Sequence, residues 1–437
     1  MGKELRNRQT SNGYRFNYAR TFCMGLAFMG ISAFWQLYDN IIPLILKNRF
    51  ELAETLTGVI MAADNLIAVL LLPMLGAWSD RVNTRFGKRM PFITVGTLLS
   101  VFFMMWVPVA DQSRRFGLFL LSLGAVLLSM GLYRSPSVAL MPDLTPPEFR
   151  SQGNAVINVM GALGAMFSLI MIQVLVDEGL RPDYTRLFLS VGILMLICLG
   201  VLLLTINEKK IAEKMAKEWP EHENENIKEN QGIIAPEVKR SMFFGLLTVF
   251  FYYMAFNGVT TAYSRYAQEV WNLTGGGFAA SLLVIAATAF VSYIPLGVLA
   301  TKIGRKKSIG IGFLMMFLAF IVLTFMPTYH WYVNFWFVFV GIGGSAVGVN
   351  IFPVIVDMCS NSELGKYTGL YYTFSMSAQI VTPILSGFFM EYVSYRTLFP
   401  YAAVCSVIGI LVAVQVHHGD TKPEQTGSML NYLDNEI

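Results

Sequence analysis

Five charged side chains lie inside stretches of this chain that are otherwise apolar: Asp39, Asp64, Arg134, Arg265 and Glu269. Charges in such surroundings are costly and are normally kept for moving protons or ions. An aspartate beside an arginine can trade a proton, because the guanidinium favours the charged carboxylate when engaged and ceases to when drawn away. Asp64 and Arg134 suit that use. At a helical rise of 1.5 Å per residue, Asp64 lies about 18 Å from Gly76 and Arg134 about 13 Å from Asp143, so their depths are similar. Asp39 stands one turn from Trp35; it joins the proton site or pairs near the surface with Lys47 or Arg49. Arg265 and Glu269, four residues apart, read as a helical ion pair near the outer surface. His222, His330, His417 and His418 fall in loops or at segment ends, so proton chemistry at mid-depth is left to carboxylates. Cys23, Cys198, Cys359 and Cys405 are far apart, without metal-ligand spacing. No metal, cofactor or disulfide is expected, and the absence of nucleophile–base spacing makes an enzyme the least favoured class.

The segments that must position these residues are long. The chain is 55% hydrophobic and 14% charged over 437 residues, with a mean hydropathy of +0.54. A soluble surface would need about twice that charge. Apolar runs of about 20 residues or more are long enough to cross roughly 30 Å of hydrocarbon. Twelve are read, at 20–46, 55–78, 91–110, 115–141, 152–176, 184–206, 241–267, 278–300, 309–327, 331–356, 366–392 and 397–416. The polar, basic first twenty residues lack a cleavable signal's short apolar core, so the first span is expected to be retained as an anchor. The charged stretch 207–240 splits the spans six and six. Ile211, Met215 and Trp219 recur there at helical spacing, which suits either an amphipathic helix on the membrane surface or a solvated tether. The expected organisation is an N-terminal six-helix bundle (1–206), a linker (207–240), a C-terminal six-helix bundle (241–416) and a tail (417–437).

Orientation follows from basic charge. With both termini inside, the inner segments hold 23 Lys and Arg and the outer loops 7. That bias places both termini in the cytoplasm of a multi-pass protein of the plasma or inner membrane. The formal charge of +4 therefore reports topology, and nucleic acid is excluded as a partner.

The loop after the second span reads GAWSDRVNTRFGKRMP, carrying Gly76, Asp80, Arg81, Arg85, Gly87, Lys88 and Arg89. A reduced copy, GVLATKIGRKK, starts at Gly297, with Thr301 in place of the aspartate. An aspartate at a helix end can accept bonds from a neighbouring helix N-terminus and from Arg81 or Arg85, and so form a latch that breaks as the protein changes state. The latch in the second copy should be weaker or missing. Asp143 and Asp357, which end the fourth and tenth spans, look like a related pair on the same face.

Six-plus-six spans, a charged central linker and this paired loop resemble the major facilitator superfamily. The form SDRVNTRFGKRMPF, with YRSPSVALMPDLTPPEFRSQGNAVINVMGALG from Tyr133 to Gly164, is similar to sugar:cation symporters of the glycoside–pentoside–hexuronide and sucrose-transporter kind. The resemblance implies an all-α fold of twelve transmembrane helices in two pseudo-symmetric bundles that rock about a central site. It also implies secondary active symport of a sugar, a glycoside or disaccharide. A sugar needs flat apolar surfaces for its ring and paired polar groups for its hydroxyls. Candidates are Trp35, Gln36 and Tyr38 in the first span, Tyr133 in the fourth, and Asn154 and Asn158 in the fifth. The second half offers Tyr253, Asn257 and Tyr263 in the seventh span, with Tyr372 and Gln379 in the eleventh. The melibiose-type sodium symporters carry two carboxylates one turn apart on the second span, where this chain has Ala68 and Leu72. One aspartate cannot furnish the several oxygens that sodium needs, so the expected coupling ion is a proton, with Asp64, Arg134 and Asp39 as the coupling residues. The protein is expected to work as a monomer in the lipid bilayer. The alternatives are a carrier of the same fold for drug-like or lipid-like substrates, and a non-transporting membrane sensor.

Overall fold

The computed structural model describes residues 17–82, 84–146, 149–218, 236–359 and 364–419. An apolar segment without water must satisfy its own backbone N–H and C=O groups, and a helix does so within one segment. Among the described residues, twelve helices are long and apolar enough to cross a membrane. They are α1 (Tyr18–Asn48), α2 (Glu54–Arg81), α3 (Met90–Gln112), α4 (Phe116–Asp143), α5 (Arg150–Leu175), α6 (Thr185–Thr205), α8 (Pro236–Trp271), α9 (Ala279–Ile303), α10 (Arg305–Thr324), α11 (Val333–Val356), α12 (Leu364–Tyr392) and α13 (Leu398–Val414). The remaining helix, α7 (Glu208–Glu218), follows the sixth span, and a 3₁₀ turn at Tyr395–Thr397 precedes α13. Helices α1 and α8 have 31 and 36 residues. At 1.5 Å per residue they are longer than the roughly 30 Å hydrocarbon core, so they tilt or project beyond it.

Each apolar run expected from the sequence is one helix. The start of the linker is a helix too: Ile211 and Met215 of α7 are partly covered, while Lys209, Lys210, Glu213 and Lys214 are exposed. Trp219 lies outside the described residues. Residues 236–240, read as linker, form the first turns of α8.

Contacts group the chain into two compact units. The first comprises Met1–Leu37, Leu70–Met171 and Asp183–Glu225; the second comprises Tyr38–Val69, Ile172–Pro182 and Asn226–Ile437. The ends of α1 and α2 remote from the 82–89 loop group with the C-terminal helices because they are bonded to α8 and α12, and the segment after α5 groups there through Arg181, which holds Asn48 and Glu51.

In the first unit α3 packs on α4 and α6. Helix α4 is tied to its neighbours by side-chain hydroxyls. Tyr133 Oη donates to the Ala27 carbonyl of α1 at 2.6 Å, and Ser135 Oγ to the Leu72 carbonyl of α2 at 2.9 Å. Ser168 Oγ of α5 donates to the Ala33 carbonyl of α1 at 2.6 Å. Such bonds suit a bundle in lipid, where apolar burial adds little and packing with interhelical hydrogen bonds does the joining. In the second unit α11 packs on α9 and α10, and α8 on α12 and α13.

Candidate functional site: two ion clusters and a mid-depth carboxylate pair

The loop between α2 and α3 is built around Arg89, whose side chain is 5% exposed. Its Nε donates to Asp143 Oδ2 at 2.8 Å, and its two other nitrogens bond Asp80 and Ser79. Lys88 Nζ adds a 3.4 Å contact to Asp143. Asp80 therefore pairs with Arg89 and not with the nearer Arg81 or Arg85. Both of those are exposed, and Arg85 lies over the ring of Phe86, 4.7 Å from its centroid.

The linker completes this cluster. The buried Glu208 carboxylate accepts the backbone N–H groups of Lys88 at 2.9 Å, Arg89 at 3.0 Å and Met90 at 2.9 Å. It thus caps the N-terminus of α3, where unpaired N–H groups and the helix dipole favour an anion. Gly87 makes the approach possible. Its φ is +112°, and a Cβ there would fall 2.2 Å from Glu208 Oε2. Nothing in the sequence pattern around Glu208 signals this role, because its partners are 120 residues away.

The second unit repeats part of the arrangement. Arg305, directly after Gly304, is ion-paired with Asp357, as Arg89 is with Asp143. Thr301, which replaces the aspartate, donates its hydroxyl to its own helix at the Val298 carbonyl, 2.7 Å away. Asp143 and Asp357 are hence matched residues, each holding the basic loop of its own unit. Gly76 supplies its carbonyl to Ser79 Oγ at 2.9 Å.

Within the second unit, at the start of α2, lies a more deeply buried cluster. Arg265, 0% exposed, sends Nη1 to Glu54 Oε2 at 2.5 Å. Glu54 also accepts the Tyr395 hydroxyl at 2.5 Å and has Lys47 Nζ at 3.7 Å. Lys47 bonds Glu269 at 2.6 Å and stands 4.2 Å from the centre of the Tyr395 ring. Arg265 and Glu269 are therefore not partners of each other: residues from α1 and α2 come between them. Around this core Thr55 N–H donates to Glu391, Asn48 exchanges bonds with Gln268, and Arg181 holds both Glu51 and the Asn48 carbonyl. Gly58 and Gly387 allow the close approach, since a Cβ on either would meet backbone of the facing helix at 2.1 Å and 2.5 Å. The sequence hid the cluster because Glu54 and Lys47 sit at span ends, where a charge is unremarkable.

Asp39 and Asp64, on α1 and α2, are part-buried and within electrostatic reach of each other and of Tyr38. Asn65 Nδ2 donates to Asp64 Oδ1 at 2.9 Å. Arg134 belongs to the first unit and lies over the Trp35 ring, 5.7 Å from its centroid. Gln36 is part-buried beside them, and Asn154 and Asn158 are exposed on α5. In the second unit Tyr253, Asn257 and Gln379 are part-buried, Tyr263 is fully buried and Tyr372 is 54% exposed. Among the described residues, no group of three or more His, Cys, Asp or Glu is placed to hold a metal ion.

A family model described as Major Facilitator Superfamily matches residues 21–292 and 245–428. Proton-associated sugar transporter A of Homo sapiens is 31% identical over 141 residues, which are 30% of this chain and 19% of that protein. The chain thus spans about a fifth of that relative's length. Tetracycline resistance protein, class E, of Escherichia coli is 25% identical over 308 residues, covering 68% of this chain and 70% of that protein. Among solved structures, the inward open xylose transporter XylE from E. coli has a TM-score of 0.65 at 15% identity, covering 96% of this chain and 98% of its own. A bacterial homologue of the iron transporter ferroportin in its inward-facing state has a TM-score of 0.66 at 13% identity, covering 92% and 99%. At these identities the likeness is one of fold.

Proposed function

This chain belongs to the Major Facilitator Superfamily, and we propose that within it the protein is a proton-coupled sugar symporter working by alternating access. The observation that carries the coupling is the placement of Asp39 and Asp64 within electrostatic reach of each other on neighbouring spans. Two carboxylates in such a setting can share one proton. The substrate is a glycoside or disaccharide, with Trp35, Gln36, Tyr38 and Arg134 presenting ring surface and hydrogen bonds to it. Arg134 over Trp35 joins a flat face to a fork of donors. The named sugar transporter among the relatives supports this choice of substrate.

The ion clusters supply the gates. The Arg89–Asp80–Asp143–Glu208 cluster would hold the α2–α3 loop within the first unit and the Glu54–Arg265–Lys47–Glu269–Tyr395 cluster would join α1, α2 and α8 within the second, and both would rearrange during a cycle. Binding of substrate and proton provides the energy for that exchange. The basic-residue asymmetry supports an orientation with both termini in the cytoplasm, and the proposal takes the protein to act as a monomer in the plasma or inner membrane. The test is reconstitution of the purified chain in liposomes, with labelled mono- and disaccharides under imposed proton or sodium gradients. Uphill uptake driven by a pH gradient without sodium is expected; uptake that requires sodium at fixed pH overturns the coupling.

The alignment with a tetracycline resistance protein over 68% of the chain favours a second reading, a carrier of drug-like substrates. The same liposomes distinguish the two: transport of a polycyclic drug with no sugar transport would establish it.

A further inference from the structure

We propose that Tyr133 and Ser135 are positioning residues for Arg134: they bond its turn of α4 to α1 and to α2, and so fix the direction in which the guanidinium points. The proposal rests on the reading above, in which Arg134 binds the sugar. It assigns Tyr133, a candidate from the sequence for contact with the sugar, to holding the arginine instead.

Helix α4 is weakest where Arg134 sits. Pro136 has no N–H, so the Leu132 carbonyl cannot accept the bond it would otherwise take from residue 136. A helix with a broken ladder bends readily at that point, and a small bend is magnified at the end of a side chain as long as arginine. The two residues flanking Arg134 in this turn carry hydroxyls, and both hydroxyls leave the helix. Tyr133 Oη donates to the Ala27 carbonyl of α1 at 2.6 Å, and Ser135 Oγ to the Leu72 carbonyl of α2 at 2.9 Å. Other serines of α4 do not behave so. Ser122, Ser129 and Ser137 each return their hydroxyl to a carbonyl of α4 itself, four residues back, at 2.7 Å.

Neighbouring glycines let the turn be gripped closely. A Cβ on Gly96 of α3 would fall 2.7 Å from the Tyr133 backbone nitrogen, and one on Gly30 of α1 would be 3.0 Å from the Tyr133 hydroxyl. Tyr133 is itself 2% exposed. Helices α1, α2 and α3 thus hold the two residues beside Arg134. The arginine is part-buried and lies over the Trp35 ring, 5.7 Å from its centroid. Trp35 belongs to the same helix that Tyr133 bonds, about two turns on from Ala27. One bond therefore sets the donor fork and the flat ring against each other. A guanidinium recognises its ligand through a rigid planar fork, so its worth depends on aim more than that of a lysine's rotatable ammonium. A group already aimed also loses less freedom when the ligand arrives.

The test uses the purified full chain with sucrose, maltose and glucose as probes. Binding is read by calorimetry, folding by thermal unfolding, and transport in liposomes. Tyr133→Phe and Ser135→Ala each remove one bond to a neighbouring helix, and each should weaken binding about three- to tenfold. The same changes made in an Arg134→Lys chain should cost less than about twofold, because no fork remains to be aimed. Ser129→Ala, which loses a bond within α4 alone, should bind as wild type does. Equal losses in the two backgrounds would show bonds that only support the fold, and refute the proposal. Should the lysine chain bind too weakly to measure, losses that track a lowered melting temperature refute it, and losses at an unchanged one uphold it. If wild type binds a probe, Arg134→Lys weakens that binding, and Tyr133→Phe and Ser135→Ala leave it intact, the positioning role is refuted and the sugar reading stands. If wild type neither binds nor carries any probe, or if Arg134→Lys binds as wild type does, the reading of Arg134 falls and the positioning role with it.

Discussion

In the proposed mechanism Asp64 is the residue on which the coupling turns. Asparagine there mimics a permanently protonated carboxyl, so Asp64→Asn should keep exchange of substrate across the membrane and lose accumulation driven by a pH gradient. Concentrative uptake by this variant would remove Asp64 from the coupling step. Its neighbour Asp39 was open to two readings from sequence, since Lys47 and Arg49 lie within two or three turns of it. The structure engages Lys47 with Glu54 and Glu269 instead, and brings Asp39 within reach of Asp64. Arg134 is the other test at this scale. Arg134→Ala should abolish binding or transport, and Arg134→Lys should restore it only in part, because an ammonium lacks the guanidinium's planar fork. Wild-type uptake by the alanine variant would dismiss the assignment.

At the scale of elements, the helix ends carry the most specific arrangements. Glu208 of α7 caps α3, and losing such a cap costs about 1–2 kcal/mol. Glu208→Ala should therefore lower the melting temperature measurably; an unchanged value would show that water replaces the carboxylate without cost. Asp80→Asn removes one partner of Arg89, and should slow conformational cycling more than it weakens binding, as measured by separate exchange rates and binding constants. Intact rates with lost binding would exclude a latch. At the other end, Glu54→Gln leaves Arg265 buried beside a neutral group, a change worth about 3–5 kcal/mol against the bonded state. The variant should shift the protein away from that state, seen as faster deuterium labelling of the backbone amides in the first turns of α2. Unaltered labelling would mean that the cluster does not hold this end closed. The repeated loops made one ion cluster legible, since Asp80 among basic residues stands out. Its partner was not: Arg81 and Arg85 are nearer in sequence, but the turn at Gly87 brings Arg89 back over the end of α2.

At the scale of the whole molecule, the asymmetry of basic residues predicts the side of the membrane. Reporter fusions within the 219–235 stretch and at the C-terminus should both register cytoplasm, and an external signal from either would overturn the proposed orientation. The chain's division is also read differently at this scale. The charged linker marks two sets of six spans, whereas contacts assign Tyr38–Val69 and Ile172–Pro182 to the C-terminal unit. Those segments carry Lys47, Asn48, Glu54 and Arg181, whose bonds reach α8, the Tyr395 turn and one another.

The number of spans, their approximate ends and the family were determined by the sequence itself, which left the linker open between helix and tether. The reason is local: in an apolar medium a segment's backbone can only bond to itself, so length and hydropathy define each helix without reference to its neighbours. The paired glycine and basic motifs are likewise contiguous, and so readable. Only the tertiary structure decided which side chains meet. Arg265 finds Glu54 across 211 residues, Arg305 finds Asp357 across 52, and the hydroxyls of Tyr252 on α8 and Tyr293 on α9 meet beside Gly348 of α11. A buried span that is apolar on every face carries little periodic signal of its rotation about its own axis. That rotation is set by packing against other helices, and it alone decides whether a tyrosine or carboxylate faces lipid, a neighbour or a substrate.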